Sequence, residues 1–302
     1  MSTKTAPPAR RARTGLLAYL YSSMWAHRMV PLRLALPLMA AYGRRRWRKD
    51  KSFREGQIAY RSLIVHGTPR EGEGPAIAER AARERLVQRE IDWRPWILAK
   101  TAVEGWEHFD AAKAAGRGVI LTTTHTGPQG AWGRALSLRG EVLYAPAGDW
   151  MFTEQREGYQ GRAARKMFEV SASMGIHLVH RGGTFQKFVE LLENGHTLWL
   201  PCDVPGTSQM TLLGKQTNIS SGPAALSMLT GAPIVAGFGW RDGRRPRVRI
   251  HEPFYPGDYE DADALRAAVG ALADQAILEH PHSMSTVFAP YLWSEDWPKY
   301  FS

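Results

Sequence analysis

The chain has 302 residues, 44% of them hydrophobic and 10% aromatic, which suits one large domain or two modest ones and excludes wholesale disorder, a collagen-like fibre and a coiled coil. A single cysteine excludes an internal disulfide framework and a cysteine-based zinc cluster. The net charge of +10 is an N-terminal property: residues 1–60 hold 13 Lys and Arg against Asp50 and Glu55, giving +11, while the other 26 bases and 27 acids leave −1, so that end points to a polyanionic partner, membrane or nucleic acid.

Residues 1–13 (MSTKTAPPARRAR) are polar, basic and contain Pro, and are expected to form a disordered tail. Residues 14–70 are expected to form a helical membrane-associating segment. Its apolar stretch, 15–43, is interrupted by Arg28, Pro31, Arg33 and Pro37. Neither half supplies the roughly 20 apolar residues that a spanning helix needs. The polybasic run RRRWRKDK follows at 44–51. An apolar helix with aromatics and then a basic cluster suits a segment lying in a membrane interface, where each cation near an anionic leaflet contributes about 1 kcal/mol. The same residues also suit a helical hairpin packed on the protein's own core, with a solvated basic turn. A secretory signal lacks its small-residue cleavage site. No zinc finger, helix-turn-helix or RNP pattern occurs, so an anionic membrane is the expected partner and no nucleic acid is expected. The expected location is the cell inner membrane, peripheral on the cytoplasmic face.

After a loop at 70–75 (REGEGP), residues 71–302 are expected to form the main body. Strands are predicted at 118–124 (GVILTTT), 142–147, 176–180, 197–202 (TLWLPC), 234–240 and 248–251. Helices are predicted at 156–173, 184–194, 223–230 and 262–279. In the second of these Phe185, Phe188, Val189 and Leu192 recur at helical spacing before Gly195; in the third Gly231 follows the end and Pro233 lies beyond. The alternation defines an α/β fold class: a mostly parallel central sheet flanked by helices, preceded by the helical membrane-interface segment.

Ligands of open α/β sheets bind beyond the carboxyl ends of strands. Three polar groups stand at such places: His125, Arg181 and Asp203. A neutral imidazole at His125 suits proton removal from a hydroxyl or amine, or alternatively a ring that merely satisfies backbone carbonyls. A helix start near Gln129 would offer N–H groups to an anion. Arg181 suits a phosphate or carboxylate, or is a surface arginine. Asp203 suits orienting a histidine or binding substrate hydroxyls, or capping the turn 204–206. Cys202 reads as buried packing. His280 and His282 have no evident third metal ligand, and no metal site is expected. No Walker loop, dinucleotide fingerprint or G-x-S-x-G elbow occurs.

Over residues 100–297 the chain resembles the bacterial lipid A lauroyl/myristoyl acyltransferases and the phosphatidylinositol mannoside acyltransferases, within the lysophospholipid and glycerol-phosphate acyltransferase superfamily. The segments that carry the resemblance are VILTTTHTGPQGAWGRAL, HRGGTFQKFVELLENGHTLWLPCD, LLGKQTNISSGPAALSMLTGAPIVAGFGWRDG and HPHSMSTVFAPYLW. The resemblance implies transfer of an acyl chain from an acyl-CoA or acyl-carrier-protein thioester, without cofactor, to a hydroxyl or amine of a lipid or glycolipid. It makes His125 the base of an H-x4-D/E motif and assigns Arg181, Asp203 and Gln129 to substrate binding. The acid of that motif is replaced by Gly130. Three readings follow: another carboxylate such as Asp149, Glu154 or Asp203 orients His125; His125 works alone; or the chain has diverged, to another acyl transfer in specialised metabolism or to a silent lipid-binding relative. A pocket with one apolar wall for the acyl chain is expected beside His125.

Overall fold

Asp50, the one acid inside the polybasic run, marks a helix boundary. Its side chain accepts the Phe53 N–H at 2.9 Å, so the chain stops one helix and starts the next at the same residue. The structure, a computed structural model, describes residues 24–147, 158–180 and 185–285. The predicted tail at 1–13 and the apolar residues up to 23 lie outside them.

Among the described residues four helices come first: α1 (Met24–Met29), α2 (Leu32–Lys49), α3 (Lys51–Val65) and α4 (Gly74–Asp92). Helix α4 packs against both α2 and α3, so residues on either side of the 66–73 loop form one helical layer. Buried His27 on α1 pairs through Nδ1 with Glu90 of α4 at 3.1 Å, and Arg94 donates through Nε to the same carboxylate at 2.9 Å. Removing one partner of such a buried set typically costs about 3–5 kcal/mol.

The body then runs α5 (Pro95–Leu98), β1 (Ala102–Glu104), α6 (Trp106–Ala114), β2 (Val119–Thr122), α7 (Gly130–Ser137), β3 (Leu143–Ala147), α8 (Gly158–Ser173), β4 (Ile176–His180) and α9 (Phe185–Glu193). It continues with β5 (Thr197–Trp199), β6 (Pro205–Leu212), β7 (Lys215–Ile219), α10 (Gly222–Thr230), β8 (Ile234–Asp242), β9 (Arg245–Ile250) and α11 (Ala262–Glu279). The seven-stranded sheet has the order β1–β9–β8–β2–β5–β3–β4. It is mixed but mostly parallel, with β8–β9 the antiparallel pair. The α/β class is as expected. The additional feature is a separate β6–β7 hairpin, whose turn puts Leu213 and Gly214 at φ +52° and +70°.

Strand β2 is central and wholly buried, as a strand covered on both faces must be. One face packs Phe188, Val189 and Leu192 of α9 with residues of α10 and α11. The other packs Phe109 of α6, Trp132 of α7 and Val87 and Ile91 of α4. Trp132 occupies the space where a Cβ on Gly237 would stand, 1.4 Å from its ring. Gly237 on β8 therefore lets the helix that follows His125 lie flat on the sheet. Truncating a buried Trp of this kind costs about 3–5 kcal/mol.

Candidate active site

The parallel register of β2 and β5 pairs residues 78 apart, Val119 with Thr197 through Leu121 with Trp199. Pairing persists beyond the formal strand ends: Leu200 N–H donates to Leu121 O at 2.8 Å and Cys202 N–H to Thr123 O at 2.9 Å. Carried further, the same offset sets Asp203 opposite His125. Asp203 Oδ1 lies 2.6 Å from His125 Nδ1, and Asp203 Oδ2 accepts the His125 backbone N–H at 2.6 Å. One carboxylate thus holds both the ring and the main chain of the same residue.

The surrounding threonines meet their own hydrogen-bonding needs. Thr122 Oγ1 donates to Leu200 O at 2.8 Å, and the Thr124 and Thr126 hydroxyls bond each other at 2.7 Å. Buried hydroxyls are satisfied locally, as the cost of leaving them bare requires, and none of these competes for Asp203. Gly127 then turns the chain at φ +62°, where a Cβ would stand 2.0 Å from the Gly239 carbonyl oxygen, so only glycine fits. Ser285 N–H donates to His125 O at 2.6 Å, and Tyr60 Oη donates to Ser285 O at 2.8 Å, which ties α3 to the same turn.

Asp203 is 1% exposed and the His125 side chain 18%. A buried carboxylate at Nδ1 selects the tautomer with the proton on Nδ1, which leaves Nε2 as the basic nitrogen. Such a pair can take a proton at Nε2 while the carboxylate stabilises the resulting imidazolium.

His125 opens onto a cavity of about 200 Å³. Gly127 and Gln129 line it on the sheet side, Arg61 of α3 and Arg85 and Arg89 of α4 on the helical side, and Trp240 and Arg241 at the end of β8. Among the described residues the lining is therefore mainly polar and basic. Trp240 and Met284 are the larger apolar members of the lining among the described residues. Two carboxylates share the lining. Glu84 accepts Arg80 Nε at 3.0 Å and Arg241 Nη2 at 3.1 Å, and pairs with His282 Nε2 at 3.3 Å. Burial opposes its charge, but the His282 contact and Arg80 outweigh that and bring its pKa to about 2. Asp92 takes the Gln88 amide at 3.3 Å, and burial raises its carboxyl to about 7.

Of the residues singled out from sequence, His125, Asp203 and Gln129 meet here. Asp203 does not cap the 204–206 turn; the sheet register gives its carboxylate to His125 instead. Arg181, Asp149 and Glu154 lie outside the described residues. Cys202 is buried and burial pushes its thiol up, as suits packing. Position 130, where the resembled motif has its acid, faces the apolar side chains of Leu98 and Met174. The residues missed were the helical wall. Arg85, Gln88, Arg89 and Asp92 recur at three- and four-residue spacing, a single helix face that the sequence carries but that only packing directs at His125.

A histidine braced by a buried acid at the rim of a mostly parallel sheet, beside a basic cavity, is an arrangement whose chemistry suits proton transfer. Residues 81–286 match the model of the bacterial lipid A biosynthesis acyltransferases, and the chain belongs to that family, by which it is classed as an acyltransferase. Phosphatidylinositol mannoside acyltransferases of two Mycobacterium tuberculosis strains, CDC 1551 and H37Rv, are each 28% identical over 190 residues, covering 59% of this chain and 56% of theirs. The match thus spans about half the length of those relatives. Among solved structures, the 1-acyl-sn-glycerophosphate acyltransferase PlsC from Thermotoga maritima aligns with 85% of this chain and all of its own, at 16% identity and a TM-score of 0.40.

Proposed function

We propose that the protein moves an acyl chain from an acyl thioester, CoA- or carrier-protein-bound, to a hydroxyl or amine of a lipid or glycolipid at a membrane surface, with His125 as base and Asp203 as the carboxylate that positions it. The observation that carries this reading is the double contact between Asp203 and His125. Asp203 holds Nδ1–H, and Nε2 takes the proton of the acceptor hydroxyl as its oxygen attacks the thioester carbonyl carbon. The tetrahedral intermediate collapses, the carbon–sulfur bond breaks, and the imidazolium returns its proton to the thiolate. Gln129 and Arg181 are the residues offered for substrate binding. The phosphatidylinositol mannoside acyltransferases, by name enzymes acting on a glycolipid, support an acceptor of that class.

The membrane part of the reading rests on α2. Leu34, Leu38 and Tyr42 are 55%, 62% and 58% exposed and follow one another at four-residue spacing, so they form one greasy stripe. Arg44, Arg45 and Arg48 are exposed just beyond it. No helix among the described residues is long and apolar enough to cross a membrane. A stripe of this kind with adjacent cations suits peripheral attachment to an anionic leaflet, and the cytoplasmic face of the inner membrane is the proposed place.

The test is transfer from palmitoyl-CoA to hydroxyl and amine lipid acceptors by the purified full chain and by His125→Ala. The variant is expected to lose about 10³-fold or more in kcat/KM. Equal transfer without the imidazole would exclude the mechanism.

A further inference from the structure

Arg61 is a guanidinium in a place that does not suit one. It is 2% exposed on α3, at the wall of the cavity that holds His125. Its Nη1 donates to Pro281 O at 2.7 Å and it lies over the Tyr60 ring at 4.8 Å, so its contacts are a carbonyl and an aromatic face rather than a carboxylate. Its buried Nε has no acceptor among the described residues. Burial is the first cause of a pKa lowered to about 10, followed by the opposing influence of Tyr60 and the like charge of Arg85. Buried cations are normally paired, because an unpaired one keeps its full desolvation cost.

The carboxylates of the lining are committed elsewhere. Glu84 is engaged with Arg80, Arg241 and His282. Asp92 lies near Arg241 and takes a hydrogen bond from the Gln88 amide. Arg85 and Arg89 stand on the same wall as Arg61, one helix over, and Arg85 adds repulsion to it rather than relief. Three guanidinium groups therefore line one side of a cavity whose other side is His125.

We propose that Arg61, Arg85 and Arg89 form an anion subsite that binds the phosphate of a substrate next to the reacting centre. Planar guanidinium groups take phosphate oxygens two at a time, and three of them line this wall. Arg61 lies outside the 81–286 family match, and Arg85 and Arg89 lie within it. The phosphate has two sources, the headgroup of a phospholipid acceptor or the phosphates of the CoA or phosphopantetheine donor. The proposal rests on the acyl-transfer reading for the source but not for the binding itself.

Binding is measured by titration calorimetry of the full chain with inorganic pyrophosphate at constant ionic strength. Wild type is expected to bind at one site, Arg85→Ala about tenfold more weakly, and Arg61→Met weaker still. Arg85 is exposed at the rim, so its variant decides the matter if Arg61→Met does not fold. No binding by wild type, or equal binding by wild type and Arg85→Ala, overturns the subsite. Two kinetic comparisons in Arg85→Ala then assign the source: acyl-CoA against acyl-pantetheine as donor, and a lysophospholipid against the monoacylglycerol as acceptor. A loss of kcat/KM confined to the phosphorylated member of either pair supports the subsite and names its ligand; an equal loss across both pairs, or none in either, overturns it. If the chain transfers no acyl group at all, the acyl-transfer reading fails while the calorimetry still reports on the subsite.

Discussion

Gly130 faces Leu98. A Cβ at position 130 would stand 2.7 Å from Leu98 Cδ1 and 3.1 Å from Met174 Cε, so a side chain there points into the apolar core and away from the cavity. Leu98 is fully buried. The place in the chain that the resembled motif gives to its acid is, in this protein, a place where no carboxylate can serve His125.

Gly130→Asp is accordingly expected to lower stability by about 2–4 kcal/mol, from overpacking and from a carboxylate without partners, and to bring no rise in kcat. Urea midpoints and steady-state kinetics on the same preparation check both halves.

Asp203→Asn keeps the shape of the pair and removes its charge. An amide at Oδ1 no longer enforces Nδ1–H, and the imidazolium loses its stabilising partner. The expected result is a fall in kcat of about 10²–10⁴, with the KM values for donor and acceptor changed little. A variant with wild-type kcat would show that Asp203 only braces the turn.

Burial raises the Asp92 carboxyl from its ordinary 3.8 to about 7, against the pull of the Gln88 amide and Arg241. An acid with a higher pKa in the folded state holds its proton more tightly there. Its contribution is therefore most favourable below the unfolded value, declines as pH rises from about 4 to about 7, and is level above that. Asp92→Asn is expected to match wild type at pH 4 and to exceed it by about 1–3 kcal/mol at pH 8, read from urea unfolding at the two pH values.

Leu34→Glu combined with Leu38→Glu puts two charges into the exposed stripe of α2. Partition onto vesicles containing anionic lipid is expected to fall by about 10–100-fold, the scale set by about 1–3 kcal/mol of lost apolar burial. Flotation of the double variant beside wild type measures it, and unchanged flotation would move the membrane contact to another surface.

Several features were legible in the residues themselves. The run from Val119 to Thr122 is apolar and β-branched, and Pro223 and Gly231 bracket a helix. These are local effects of side-chain shape, hydrogen-bond capacity and backbone freedom, acting over a few neighbouring residues, and they are enough to specify the predicted strands and helices and the α/β class. They also put His125 at a strand end. The β6–β7 hairpin was not legible, because its turn carries Leu213 in the left-handed region, where a leucine is not expected.

The pairing of His125 with Asp203 was decided by tertiary structure. It depends on β2 and β5 lying side by side with an offset of 78 residues, a register set by how the two strands bury their faces between the flanking helices. The same holds for Arg61, whose place on the wall of the His125 cavity depends on α3 and α4 packing together. Local propensity places each residue on its element; which elements become neighbours is decided by the burial of apolar surface over the whole chain, and the site is made of neighbours.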